Sequence, residues 1–230
     1  MLSIIIPTYN EKQNLPELIN RIKISAPNNE IIIVDDNSPD GTAQFAQNLG
    51  LLTLIRPTRT GLASAVIDGF KIANGDILCV MDADLSHPPE ILSQMLSTIQ
   101  NKEADFVIGS RLIKGGGQRE ENFIQRLISD IARWPAKFIT DIKDVTSGFF
   151  MLKRSVIQGV ELNPIGYKIC LEILAKGKYE KAKEIPIIFA NRSGSKSKMG
   201  IKIYLEFLGQ IILLCKDQFI SKYKNKRSKK

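Results

Sequence analysis

Asp82-Ala83-Asp84-Leu85-Ser86-His87-Pro88-Pro89-Glu90 places two carboxylates two residues apart, immediately after the apolar run Ile77 to Met81. Side chains of an extended chain alternate with period two, so Asp82 and Asp84 can leave a strand end pointing the same way and meet one hard divalent cation. Mg²⁺ or Mn²⁺ takes oxygen ligands and is commonly held by one or two carboxylates together with substrate phosphates. The chemistry this spacing could do is to clamp a nucleoside diphosphate. The bland alternative is an exposed acidic turn at a strand end.

Other elements must bring partners to that pair. Leu2 to Ile6 reads as a buried strand that Pro7 cuts off, followed by Thr8-Tyr9-Asn10-Glu11 and by a helix with Leu15, Leu18, Ile19 and Ile22 at helical spacing. Glu30 to Val34 has the same form and runs into Asp35-Asp36-Asn37-Ser38-Pro39-Asp40-Gly41-Thr42. Leu51 to Ile55 reads as a third strand, Gly61 to Ala65 opens a helix, and Ile77 to Met81 is a fourth strand. Pro88-Pro89-Glu90 suits a helix start, since proline fits the first turn and an acid there favours the helix dipole. His87, the only histidine, therefore sits in a turn and reads as structural rather than as a base or ligand. Phe106 to Arg111 is a further strand, followed by a glycine-bearing loop from Leu112 to Asn122 of the kind that closes on substrates. Continuous apolar strands separated by helices imply an α/β fold with a mostly parallel sheet covered on both faces, and ligands bind such sheets beyond the carboxyl ends of the strands. Three such ends, near Pro7, Asp35 and Asp82, are expected to converge on one crevice.

A chain of 230 residues, 43% of them hydrophobic, can bury one large core and fits a single α/β domain. Only five mostly apolar residues separate Met1 from Pro7, which does not make a signal peptide or an amino-terminal span. Cys79, Cys170 and Cys215 are isolated and odd in number, a pattern of neither a disulfide framework nor a zinc site, and a reducing cytoplasm is the expected home. Without Gly-x-Gly-x-x-Gly after the first strand, a nucleotide-binding oxidoreductase is disfavoured.

The segments IIPTYNE, VDDNSPDGT, DADLSHPPE, GSR and DVTSGF, in this order and spacing, resemble the polyprenyl-phosphate (dolichol-phosphate) mannose synthases of the inverting glycosyltransferase family 2. The resemblance runs from about Leu2 through Gly200 and includes Gly166-Tyr167-Lys168 and Asn191 to Met199. It implies a GT-A (Rossmann-like) catalytic domain over residues 1–200, with residues 201–230 as an amphipathic helix and basic tail. It also implies transfer of mannose from GDP-mannose to a polyprenyl phosphate, dependent on Mg²⁺ or Mn²⁺. The wording Asn-Ser-Pro-Asp-Gly-Thr resembles the mannosyl branch more than the glucosyl-phosphate branch. UDP-glucose as donor and a saccharide as acceptor are the alternatives.

Carried over by position, the resemblance sets Pro7, Tyr9, Glu11, Val34, Asp35, Asp36, Asp82 and Ala83 around the nucleotide sugar. Asp82 and Asp84 hold the metal, with Ser86 where some relatives have a glutamine ligand. Arg111, Arg126 and Ser129 attend the acceptor phosphate, and Asp84, Arg111 and Arg126 are the catalytic residues. Arg192 and Lys198 belong to a loop that covers the phosphates. A planar guanidinium suits this work because it donates two parallel hydrogen bonds to phosphate oxygens, although Arg126 also reads as an ordinary exposed helix charge. Asp144 to Phe150 resembles the segment that shapes the acceptor side, its alternative being a structural turn into an edge strand. A phosphate monoester has its second pKa near about 6, so the nucleophile is already an anion and needs no strong general base.

Charge is concentrated at the carboxyl end. From Asn191 to Lys230 there are eleven Lys and Arg against two acids, and the remaining 190 residues carry 21 basic against 22 acidic. No nucleic-acid motif or aromatic interleaving accompanies the basic tail, so nucleic acid is not expected as a partner. An anionic membrane surface fits better, at about 1 kcal/mol for each Lys or Arg near it. Ile201 to Cys215 reads as a helix with one polar line through Lys202, Glu206 and Gln210, too short and too polar to span a bilayer. It either lies in the membrane interface beside the lipid or packs on the domain. The expectation is peripheral attachment to the cytoplasmic face of a membrane, which leaves room for a small membrane-protein partner.

Overall fold

β1 (Leu2–Thr8) is buried along its whole length, and the alternation of its side chains explains why: Ile4 and Ile6 join one apolar cluster while Ile5 joins another on the opposite face. The structure, a computed structural model, describes residues 1–118, 136–137, 139–163, 168–190, 209 and 214. Within them the chain runs β1, α1 (Leu15–Ser25), β2 (Glu30–Asp35), α2 (Thr42–Asn48), β3 (Leu52–Ile55), α3 (Leu62–Ile72) and β4 (Ile77–Val80). A 3₁₀ turn (Pro89–Ile91) leads into α4 (Leu92–Gln100), then β5 (Phe106–Ser110), β6 (Gly117–Gln118), β7 (Phe150–Lys153), α5 (Ile169–Lys176), β8 (Ala182–Pro186) and β9 (Ile188–Phe189).

Seven strands form one sheet in the order β3-β2-β1-β4-β7-β5-β8, and β6 and β9 make a separate two-stranded ribbon. β1 pairs in parallel with β2 on one side and β4 on the other. The chain thus moves outward through β2 and β3 and then returns to the far side of β1, which makes the gap beyond β1 and β4 the topological switch point where α/β sheets bind ligands. β7 lies in the middle of the sheet, antiparallel to both β4 and β5, so the turn before it does not lead into an edge strand, the alternative reading of that segment.

Helices cover both faces. α1 and α4 supply Leu15, Leu18, Ile22, Leu92, Met95 and Ile99 to one cluster, and α3 and α5 supply Val66, Phe70, Ile169 and Ile173 to the other. α3 sits close to β1 because Gly69 has no Cβ: one built there would lie 2.4 Å from Ile5 Cγ2. Leu214, one of two described residues of the expected carboxyl-terminal helix, is buried in the cluster formed with α3 and α5. Among the described residues no helix is long and apolar enough to cross a membrane.

Candidate active site

Register sets the floor of the site. Ile5 pairs with Val80 and Met81 N–H donates to Ile5 O at 3.2 Å, so the residues after β4 emerge beside Pro7, Thr8 and Tyr9. There a cleft of about 360 Å³ opens, lined among others by Pro7, Tyr9, Glu11, Asp36, Asp82, Ala83, Asp84 and Arg111. These expected residues come from four strand ends. Arg126, Ser129, Arg192 and Lys198 lie outside the described residues, as does most of the segment after Gly200.

The Asp82-Ala83-Asp84 turn is held from two directions. Leu85 adopts a left-handed conformation, φ 62°, which turns the chain back so that Ser86 N–H and Oγ–H both donate to Asp84 Oδ1, at 3.1 and 2.5 Å. Asp82 N–H donates to His87 Nδ1 at 3.0 Å, with His87 Nε2 3.8 Å from Asp82 Oδ2. His87 itself is stacked on Phe149 and set edge-on to Phe189. Burial pushes its imidazole below the ordinary pKa against the pull of Asp82 and Asp84, which keeps it neutral at neutral pH. His87 is therefore a brace for the Asp82 backbone.

The donor set fits a hard divalent cation: Asp82 and Asp84 both line the cleft, with no thiolate beside them. Space for an ion is kept by Gly148, where a Cβ would stand 3.4 Å from each Asp82 carboxylate oxygen and 3.2 Å from His87 Cε1. Among the described residues no group of three or more His, Cys, Asp and Glu could hold a metal, so a cation on Asp82 and Asp84 takes its remaining ligands from water or phosphate. Ser86 differs from its expected place among those ligands. Its side chain is 1% exposed and its hydroxyl is spent on Asp84, which makes it a support of the ligand.

Two residues expected around the nucleotide lie beneath the cleft instead. Val34 is fully buried in the core. Asp35, also fully buried, accepts from Thr8 Oγ1 at 2.8 Å, Ser38 N–H at 2.8 Å and Ser38 Oγ at 2.6 Å. It ties β1 to the turn after β2. The following turn is laced in the same manner, since Asp40 accepts from Thr42 N–H and from Lys12 N–H.

Asp36 is the carboxylate that reaches the cleft, and two arginines attend it. Arg56, 5% exposed, sets Nη1 2.9 Å from Asp36 Oδ1. It also donates to Gly61 O and Ser64 Oγ at the start of α3. Asp36 Oδ1 accepts no well-angled hydrogen bond, so charge rather than alignment holds this pair. Arg59 lies 4.0 Å over the Tyr9 ring, a cation–π contact on the cleft wall. Burial pushes the Asp36 carboxyl above its ordinary pKa, in part offset by Arg56 and Arg59. Neither arginine was singled out in the sequence, although Arg56 directly follows a strand whose carboxyl end faces the crevice.

On the opposite wall Arg111 forms a planar fork with Asp144. Nε and Nη2 donate to Oδ2 and Oδ1, each at 2.8 Å, and Nη2 also donates to Thr146 Oγ1 at 3.1 Å. Thr146, Gly148, Lys168 and Phe189 complete this side. One crevice thus sets two metal-competent carboxylates between an arginine–tyrosine wall and an arginine–threonine–lysine wall, an arrangement suited to two anionic groups meeting across a cation.

Comparison with known proteins places this geometry. The profile of Glycosyl transferase family 2 matches residues 3–160. The chain is 48% identical over 225 residues to the dolichol-phosphate mannosyltransferase of Pyrococcus furiosus, taking in 94% of this chain and 64% of that protein. It is 33% identical over 228 residues to the dolichol-phosphate mannosyltransferase of Saccharomyces cerevisiae, covering 91% of this chain and 85% of that one. Glucosyl-3-phosphoglycerate synthase from Mycobacterium tuberculosis, solved with Mn²⁺, UDP-glucose and phosphoglyceric acid, superposes with a TM-score of 0.71 at 15% identity over 94% of this chain and 79% of that one. That likeness shows the fold, the GT-A architecture. The chain belongs to glycosyl transferase family 2, on the branch of the dolichol-phosphate mannosyltransferases.

Proposed function

We propose that the chain transfers mannose from GDP-mannose to a polyprenyl phosphate, with inversion at the anomeric carbon and with Mg²⁺ or Mn²⁺ on Asp82 and Asp84. The observation that carries this reading is the single cleft in which those two carboxylates lie with Arg111 at the switch point of the sheet. The relatives from an archaeon and a yeast support the sugar and the acceptor class. The Mn²⁺ and sugar nucleotide in the mycobacterial synthase support the metal.

When bound, the cation compensates the charge of the leaving diphosphate. The chain's own residues do the rest. Tyr9, Arg59 and Asp36 take the nucleoside side, and Arg111 with Thr146 and Lys168 takes the acceptor phosphate. By the family resemblance, Arg126 and Ser129 serve the acceptor phosphate and Arg192 and Lys198 the nucleotide sugar. The acceptor phosphate attacks the anomeric carbon in line as GDP leaves. Its second pKa of about 6 makes it an anion at neutral pH, so no general base is required. The basic tail holds the enzyme at the cytoplasmic face of a membrane, beside its lipid and within reach of any small membrane-protein partner.

The test is sugar transfer in detergent from radiolabelled GDP-mannose and, in parallel, UDP-glucose to a polyprenyl phosphate. Lipid-linked product from GDP-mannose is the expected result. Product only from UDP-glucose overturns the donor, and absence of lipid-linked product from either donor overturns the acceptor.

A further inference from the structure

Arg111 reaches the cleft from the end of β5, and the way it is held has a mechanical consequence. Its partner Asp144 is fully buried and accepts three hydrogen bonds from the one residue: Arg111 N–H to Oδ2 at 3.0 Å, Nε–H to Oδ2 and Nη2–H to Oδ1. Asp144 cannot yield, because its own N–H and that of Lys143 donate to the Glu184 carboxylate on β8, at 3.0 and 2.9 Å. Ser147 Oγ–H pins the same segment to Gly109 O at 2.7 Å. Four residues after Asp144, Gly148 faces the Asp82 carboxylate, where a Cβ would stand 3.4 Å from each oxygen. The segment 144–148 therefore binds the phosphate-side arginine at one end and borders the metal-side carboxylate at the other.

We infer that Asp144 is a positioning residue, and that the segment from Asp144 to Gly148 is a rigid spacer setting the place of the Arg111 guanidinium relative to Asp82. The inference rests on the reading of Arg111 as the contact of an acceptor phosphate. A planar guanidinium forked on a buried carboxylate is fixed in plane and rotation before substrate arrives, so its donors are aimed rather than searching. Asp144 also offsets the charge of Arg111, which then acts on a phosphate through direction more than through net charge.

The test uses the full chain carrying Asp144→Asn, which keeps side-chain volume but turns a donor toward the guanidinium. Misplacing a reactant by about 1 Å costs up to roughly 100-fold, so kcat/KM for polyprenyl phosphate is expected to fall roughly 10–100-fold. GDP affinity by calorimetry is expected to stay within about twofold, since the nucleoside wall is untouched. In an Arg111→Gln background Asp144→Asn should add no further loss, because it acts through Arg111. Independently of activity, the Arg111 Nε–H resonance of ¹⁵N-arginine-labelled protein should exchange slowly with solvent and lose that protection in Asp144→Asn. Unchanged acceptor kinetics, losses that multiply in the double variant, or equal loss of GDP affinity would each overturn the inference. Absence of lipid product from the unaltered chain would instead overturn the reading of the reaction, and Nε–H exchange would still decide whether Asp144 fixes Arg111.

Discussion

Replacing Arg56 with Met tests whether the cleft wall depends on a buried cation. Arg56 is 5% exposed and Asp36 8%, and the two approach to 2.9 Å. Removing one partner of a buried ion pair typically costs about 3–5 kcal/mol, because the other charge is left uncompensated. In a chain of this size each kcal/mol moves Tm by about 2–4 °C, so Tm should fall by about 6–20 °C. The sign with pH follows from Asp36. Burial already holds its carboxyl above the ordinary value, with Arg56 and Arg59 pulling the other way, so losing Arg56 raises it further. A carboxyl raised in the folded state destabilises as pH climbs from its unfolded pKa through its folded pKa, and costs nothing below both. The deficit of Arg56→Met should therefore be largest at neutral pH and shrink on acidification into the ordinary carboxylate range. Thermal unfolding followed by circular dichroism at both pH values is the assay, and Asp36→Asn should restore most of the loss at neutral pH. A Tm within about 2 °C of the parent, under 1 kcal/mol, refutes the reasoning. So does a deficit that neither pH nor Asp36→Asn relieves.

Asp84→Ala should cut transfer at least about 100-fold, the scale of several kcal/mol of lost charge stabilisation, with the circular dichroism spectrum unchanged. Gly148→Ala would put a Cβ 3.2 Å from His87 Cε1 and 3.4 Å from both Asp82 oxygens; thermal melts should move little while transfer drops about tenfold, as His87, which braces Asp82, is pushed aside and the space beside the carboxylate is filled. Gly69→Ala should destabilise the fold by about 1–3 kcal/mol in urea titrations, since its Cβ would meet Ile5 Cγ2 at 2.4 Å. Arg59→Ala should weaken GDP about tenfold in calorimetry through loss of the cation over Tyr9.

The strands that carry the carboxylates were legible because a strand buried on both faces must be a continuous apolar run, and β1, β2 and β4 are such runs. Their polar ends marked the crevice for the same reason. The direction of β7 was not legible: a four-residue strand with three apolar side chains pairs equally well either way, and only its neighbours β4 and β5 decide. Asp35 and Asp36 are adjacent acids at one strand end, yet one is spent beneath the cleft on Thr8 and Ser38 and the other faces it. Composition cannot separate them, since the choice depends on where a turn returns 27 residues from Thr8. The Arg111–Asp144 fork spans 33 residues, and no local pattern announces such a pairing. Arg56 and Arg59 follow a short strand with nothing local to mark them, and the strand's place beside β2 is what brings them to Asp36 and Tyr9.

The most direct measurement is the time course of lipid-linked mannose formed by the purified chain from GDP-mannose and a polyprenyl phosphate with Mn²⁺, with excess EDTA, and with Asp84→Ala at matched folded concentration. β-Linked product is expected in the first reaction and essentially none in the other two. Product that persists undiminished in EDTA and in Asp84→Ala would contradict metal-dependent transfer.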